Sequence, residues 1–157
     1  MAIAHTVRMF LDDHHVPYEV VSHPRSLTSL RTAQSARIEA DQLAKAVLLE
    51  DDLEHSHYVM AVLPATRHVR LPELALTIGR PVHLASEEDA AGLFGDCEAG
   101  AIPALGLAYG VDTVIEARVL EHPDLYFEAG DHENLVHVRT QDFASALADC
   151  PTGKFSR

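Results

Sequence analysis

The sequence predicts an α+β fold. Segments with helical periodicity sit at the two ends and in the middle of the chain, and strand-like runs follow one another with hairpin-length links. No repeat, linker or low-complexity stretch separates them. The 157 residues suffice for one domain with its own core. Residues 1–150 read as that domain and 151–157 as a C-terminal tail in which Lys154 is expected to fray.

Residues 3–13 place Ile3, Val7, Phe10 and Leu11 on one helical face. Pro17 ends that helix and starts an extended segment, "YEVVSH". A second helix is expected from Ser29 to Ala36, after a Ser/Thr-rich start. "AKAVLLED" and "HYVMAVLPA" are apolar runs separated by the acidic turn "DDLEHS", which predicts two paired strands. "LPELALTIG" predicts a short helix with proline in its first turn and Gly79 at its end. "VHLA" predicts a strand, and "SEEDAAGLF" a helix with Ser86 as N-cap. "DTVIEARVLE", "LYFEAG" and "NLVHVR" predict three successive strands, and "TQDFASALAD" a closing helix capped by Thr140.

Composition excludes several functions. The net charge of −12, from 12 basic and 24 acidic residues, opposes tight non-specific binding to DNA or other nucleic acid and to an anionic membrane surface. Arg25, Arg31 and Arg37, with Arg67 and Arg70, are the local exceptions. No apolar run approaches the ~20 residues of a membrane span. Cys97 and Cys150 make no disulfide framework. With no secretory signal at the N-terminus, they are expected to be reduced thiols in a cytoplasmic protein.

Three constellations carry chemistry. Ten of the twelve basic residues are arginine, and Lys45 is the only lysine in the body of the chain, inside an apolar strand. Either that strand is an edge and Lys45 faces water, or its ammonium lies in a cleft aimed at a phosphate or a developing oxyanion. "GAIPALG", residues 100–106, is small and apolar but punctuated by Gly100, Pro103 and Gly106. Such a Gly-x-x-Pro loop either crosses the core tightly or presents backbone N–H groups to a ligand. The eleven histidines show no zinc-binding spacing. His14–His15 and His55-Ser56-His57 are expected on solvated turns, and neither metal nor cofactor is expected. Cys97 lies between Asp96 and Glu98, which disfavour a thiolate, so it reads as structural.

In order, "SHPRSLT", "LAKAVLL", "YVMAVLPA", "RLPELA", "LASEEDAAGLFGDCEAGAIPALG", "VDTVIEARVL" and "FEAGDHENLVHV" resemble the YbaK/ProRS-associated family of free-standing aminoacyl-tRNA deacylases. That family is related to the insertion domain of bacterial prolyl-tRNA synthetases. The resemblance spans about residues 5–147 and rests chiefly on Lys45 and the Gly-x-x-Pro loop. It implies an α+β fold whose mixed, largely antiparallel sheet curls into a barrel-like core flanked by helices. It implies hydrolysis of the ester of a small mischarged amino acid (alanine, serine, threonine or cysteine) on tRNA, with an aminoacyl-tRNA synthetase as a further partner.

By the same resemblance, the catalytic set is Lys45, Gly100, Ala101, Ile102 and Pro103. Lys45 is to bind the terminal adenosine phosphate or the aminoacyl group, and the Ala101 and Ile102 N–H groups are to hold the ester carbonyl. Water is the expected attacking group, positioned by the substrate's own 2′-hydroxyl. Tyr18, His23, Leu27, Glu128 and Gly130 are expected to line the pocket. Glu128 is expected as general base, as acceptor for the substrate's α-ammonium, or simply as an arginine's partner. It falls where some members carry serine or histidine, and Ala46 where many carry threonine or asparagine. Both departures bear on which amino acid is removed. The alternative is a non-catalytic module that binds aminoacyl-tRNA or a synthetase, which the acidic charge favours.

Overall fold

The structure, a computed structural model, describes residues 3–157. Helix α1 (His5–Asp13) buries Val7, Phe10 and Leu11, as their spacing requires. Strand β1 (Glu19–Ser22) follows, then α2 (Ser29–Ala36), whose start is capped by the Thr28 hydroxyl accepting from the Arg31 N–H. Strands β2 (Leu43–Asp51) and β3 (Tyr58–Pro64) pair antiparallel across the acidic turn. Helix α3 (Leu71–Ile78) ends at Gly79, whose φ of 77° is the left-handed conformation glycine tolerates best. Strand β4 (Val82–Leu84) leads to α4 (Glu87–Leu93), capped by Ser86 as expected. Strands β5 (Asp112–Glu116), β6 (Asp124–Glu128) and β7 (Asn134–Arg139) precede α5 (Thr140–Ala146) and the short β8 (Thr152–Gly153).

The strands form one mixed sheet in the order β1-β7-β6-β2-β3-β5-β8, with β4 added to β2. Four ladders are antiparallel (β1–β7, β6–β7, β2–β3, β2–β4) and three parallel (β2–β6, β3–β5, β5–β8). Among the described residues no ladder joins β1 to β8, so the sheet does not close through hydrogen bonds. The largest core cluster packs α1 through Val7, Phe10 and Leu11 against Met60, Phe127 and Phe143. Each such side chain contributes roughly 1.5–3 kcal/mol by leaving water.

Three expectations are corrected. The strand predicted over 112–121 stops at Glu116, and Ala117–Glu121 is a 3₁₀ turn. The cause is the fully buried Glu116 carboxylate. One oxygen accepts from the Arg118 N–H at 3.2 Å and its guanidinium at 3.1 Å, which turns the chain. The other oxygen accepts from Phe155 N–H at 2.9 Å, Ser156 N–H at 3.1 Å and the Ser156 hydroxyl at 2.8 Å. The chain end therefore does not fray: β8 pairs with β5 and Phe155 is fully buried, while Lys154 beside it is exposed. Thr140 is the first residue of α5 rather than its cap. That place is taken by Arg139, without a side-chain bond, and the Thr140 hydroxyl is buried and unpartnered.

One feature of the register prepares a site. Strand β3 flanks β2 continuously from Ala44 to Glu50. On the other side β6 pairs only with Leu43 and Ala44, and β4 only from Leu49 onward. The stretch 45–47 is left without a ladder partner on that side.

Candidate functional site

Lys45 sits at this gap. Its strand has neighbours on both sides, but at Lys45 one side is unpaired, and there the side chain lines a cavity rather than an open sheet edge. The side chain is half-buried, burial lowers its pKa, and among the described residues no carboxylate pairs with it. An unpaired, partly desolvated ammonium in an acidic protein is costly unless it serves a ligand.

Lys45 lines a cavity of about 80 Å³ together with Ala46, Gly100, Ile102, Glu128 and, from the first turn of α2, Ser29. Glu128 ends β6 and is only 9% exposed, and its Oε2 atom is buried with no partner. Desolvation, helped by the charge of Asp131, pushes its carboxyl up to about 8. The nearby Thr32 hydroxyl pulls the other way, although it too lacks a hydrogen bond of ordinary geometry. No arginine neutralises Glu128 among the described residues, so the simple ion-pair reading is removed.

The loop enters the cavity at Gly100, whose φ of 80° lies in the left-handed region. Ala101 and Pro103 are buried behind it. The Ala101 N–H is donated to the Glu98 carbonyl at 3.1 Å, so the expectation that it faces a ligand is corrected: a turn uses it. The N–H groups of Gly100 and Ile102 have no acceptor among the described residues. These two amides, rather than those of Ala101 and Ile102, are free to meet an oxyanion.

Gly130 is not in the cavity lining. Its φ is 108°, and a Cβ there would lie 2.9 Å from that of Ala4 and 3.3 Å from the Cys97 sulfur. Its carbonyl accepts from the Glu98 N–H at 2.7 Å, so it holds the loop from behind. Cys97 is structural, as expected: burial pushes its thiol up to about 12, with Asp96 adding to the shift.

Three other expected pocket residues lie elsewhere. Tyr18 precedes β1, an end strand separated from β2 by β7 and β6, and lines a different groove with Asp124 and His137. His23 is buried, its N–H donating to the Glu133 carbonyl at 2.8 Å and its Nδ1 lying 2.7 Å from the Pro24 carbonyl. Leu27 is 70% exposed before α2, beside Arg25 and Arg31. A residue that sequence reasoning passed over sits against the loop instead. His132, 4% exposed, places Nε2 at 2.6 Å from the Ala99 carbonyl.

The histidine expectation also changes at one position. His57 is half-buried rather than solvated, and with Asp51 and Glu54 it forms a group of potential metal ligands. Arg80 sits among them, its Nη1 2.6 Å from Asp51 Oδ2 and 2.7 Å from His57 Nδ1. His57 Nδ1 thus accepts from the guanidinium, and its Nε2–H donates to Asp112 at 3.0 Å. The network satisfies itself.

No helix among the described residues is long and apolar enough to cross a membrane. Among solved structures the chain is similar to the hypothetical protein APE2540, with a TM-score of 0.85 and 16% identity over 97% of this chain and 99% of that one. It is similar to a "putative trans-editing enzyme for prolyl tRNA synthetase", with a TM-score of 0.80 and 18% identity over 98% of this chain and 96% of that one. It is also similar to a "putative signal transduction protein" from Marinobacter aquaeolei VT8, with a TM-score of 0.74 and 23% identity over 96% of this chain and 30% of that one. At these identities the likeness is one of fold. None of the curated proteins compared with the chain matches it. The family model for the aminoacyl-tRNA editing domain matches residues 23–146, which include Lys45, the Gly100–Pro103 loop and Glu128. The chain belongs to the aminoacyl-tRNA editing domain family.

Proposed function

We propose that this protein is a free-standing deacylase that hydrolyses the ester between a small, wrongly attached amino acid and its tRNA. The observation that carries this reading is that Lys45, Glu128, Gly100 and Ile102 line one cavity of about 80 Å³, with the Gly100 and Ile102 N–H groups unused by any acceptor among the described residues. The recess is small and lined by Ala44, Ala46 and Gly100 beside the two charged side chains, which favours an alanyl, seryl, threonyl or cysteinyl group. In this reading Lys45 contacts the phosphate of the terminal adenosine or the aminoacyl carbonyl. The Gly100 and Ile102 amides stabilise the oxyanion as water adds to the carbonyl carbon. The C–O ester bond then breaks, and the ribose 3′-oxygen leaves as a hydroxyl after taking a proton.

Ser29 lines the cavity, but no base hydrogen-bonds its hydroxyl among the described residues, so water is the attacking group. The substrate's own 2′-hydroxyl is the group placed to orient that water. Glu128 receives the substrate's α-ammonium, and the contact draws the proton from its carboxyl. Arg31, outside the cavity on α2, supplies positive charge toward the tRNA backbone on a chain that is acidic overall.

The test is a deacylation assay on tRNAs charged with alanine, serine, threonine or cysteine, with correctly charged prolyl-tRNA as control. Turnover of at least one small ester, with the control spared, supports the reading. Saturable binding without turnover of any ester, even with a synthetase present, replaces it with the binding-module reading.

A further inference from the structure

We propose that His132 is a positioning residue for this reaction, holding the Ala99 carbonyl so that the Gly100 N–H is fixed toward the ester. The inference rests on the deacylase reading above. The Ala99 carbonyl and the Gly100 N–H belong to one rigid trans peptide, in which the two groups point in opposite directions. Anchoring the carbonyl at 2.6 Å from His132 Nε2 therefore sets the direction of the amide. A carbonyl only accepts, so the imidazole carries its proton on Nε2. The ring also packs under the loop: a Cβ at Gly100 would lie 3.4 Å from His132 Cε1.

The imidazole is itself held. The Asp131 carboxylate accepts from the Glu133 N–H at 3.0 Å, the Asn134 N–H at 2.8 Å and the Asn134 side-chain amide at 2.8 Å, which fixes the β6–β7 turn. The His132 carbonyl accepts from the Ser26 N–H at 3.1 Å, on the segment leading into α2. One residue thus ties together the turn after Glu128, the Gly100 loop and the approach to Ser29. At 4% exposure, and outside the cavity lining, His132 acts through the loop and does not touch substrate.

The experiment compares His132→Gln and His132→Ala. A glutamine amide places a donor where Nε2 stands, whereas alanine leaves the Ala99 carbonyl free. Expected is a fall in kcat of about 10- to 100-fold for His132→Ala with KM within about twofold, and recovery to near wild type in His132→Gln. A folded alanine variant with wild-type kcat overturns the proposal. So does a folded glutamine variant as inactive as alanine.

Backbone 15N relaxation at Gly100, Ala101 and Ile102 reads the loop without any substrate. Lower order parameters in the alanine variant, restored by glutamine, support the anchoring role. Unchanged values in alanine overturn it. Absence of turnover in the wild type counts against the deacylase reading, while the relaxation data still decide the role of His132.

Discussion

Lys45 and Glu128 line one cavity of about 80 Å³ and do not pair with each other. Burial works against the charge of both: it lowers the lysine pKa and raises that of the glutamate. Near neutral pH the lysine is thus an ammonium without a counter-ion and the glutamate a carboxyl that burial keeps protonated; in the proposed reaction the two meet the anionic and cationic groups of an aminoacyl-nucleotide end.

Lys45→Ala is expected to lose about 2–4 kcal/mol of transition-state stabilisation, roughly 30- to 1000-fold in rate, because a charge-assisted contact is removed. Lys45→Arg restores only part of it, since a planar guanidinium does not fit a recess shaped for an ammonium. Single-turnover deacylation, with circular dichroism as the folding control, checks both.

Glu128 makes stability depend on pH. Its carboxyl titrates near 4.5 when unfolded and is pushed up to about 8 when folded. Between those values the unfolded chain has released a proton that the folded chain still holds. The contribution of Glu128 is therefore full below about pH 4.5 and is lost as pH rises through about 8. Glu128→Gln abolishes this dependence and is expected to be more stable than wild type by about 1–3 kcal/mol at pH 8, with the difference vanishing at pH 4. Denaturant titrations at both values test it; a difference independent of pH contradicts it.

The same residue shapes the rate profile. The contact needs the Glu128 carboxylate and a substrate α-ammonium that itself titrates at about 8 or below, so kcat/KM rises with pH on the acid side and passes through a maximum near pH 8 once uncatalysed hydrolysis is subtracted. Glu128→Gln flattens that limb and lowers kcat/KM by about tenfold or more. A wild-type profile with no inflection between pH 6 and 9 counts against the contact.

Two glycines separate folding from chemistry. Gly130→Ala forces a Cβ to 2.9 Å from that of Ala4 at a φ of 108°, and is expected to cost about 1–3 kcal/mol of stability. Gly100→Ala meets nothing nearer than 3.4 Å, so it costs only the strain of its φ of 80°, about 1 kcal/mol, and shifts the free amide. Its loss shows in rate more than in Tm. Thermal melts and deacylation rates on both variants give the comparison.

Phe155→Ala removes a fully buried ring from a cluster that includes Leu49, Leu74 and Val114, and is expected to cost about 3–5 kcal/mol. Chemical denaturation measures it. A frayed chain end predicts no change.

Much of the element order was legible because it rests on local physics. The spacing of Val7, Phe10 and Leu11, the Ser86 cap and the Gly79 terminus each act within one or two turns. What was not legible depends on contacts far apart in sequence. Glu116 ends β5 and holds Ser156, forty residues away, through one carboxylate. In the site, Lys45, Gly100, Ile102 and Glu128 were readable as a set, and the cavity brings them together. Tyr18, His23 and Leu27 lie outside the lining although "SHPRSLT" borders the Gly100 loop through Ser26 and Arg25, because closeness of a segment does not say which of its side chains face the cavity. Ala101 was misassigned because a free amide and one used in a tight turn look alike until Glu98 is seen to accept it. His132 gave no signal: one histidine among eleven, with no spacing that marks a partner at Ala99.

The central claim is that Lys45 and its cavity hydrolyse a small aminoacyl ester. Single-turnover deacylation of alanyl-, seryl-, threonyl- and cysteinyl-tRNA, by wild type and Lys45→Ala side by side, tests it most directly. Clearance of one or more of these esters by wild type, slowed at least about 30-fold in the folded variant, is the predicted result. Equal clearance by both proteins, or none by either, contradicts it.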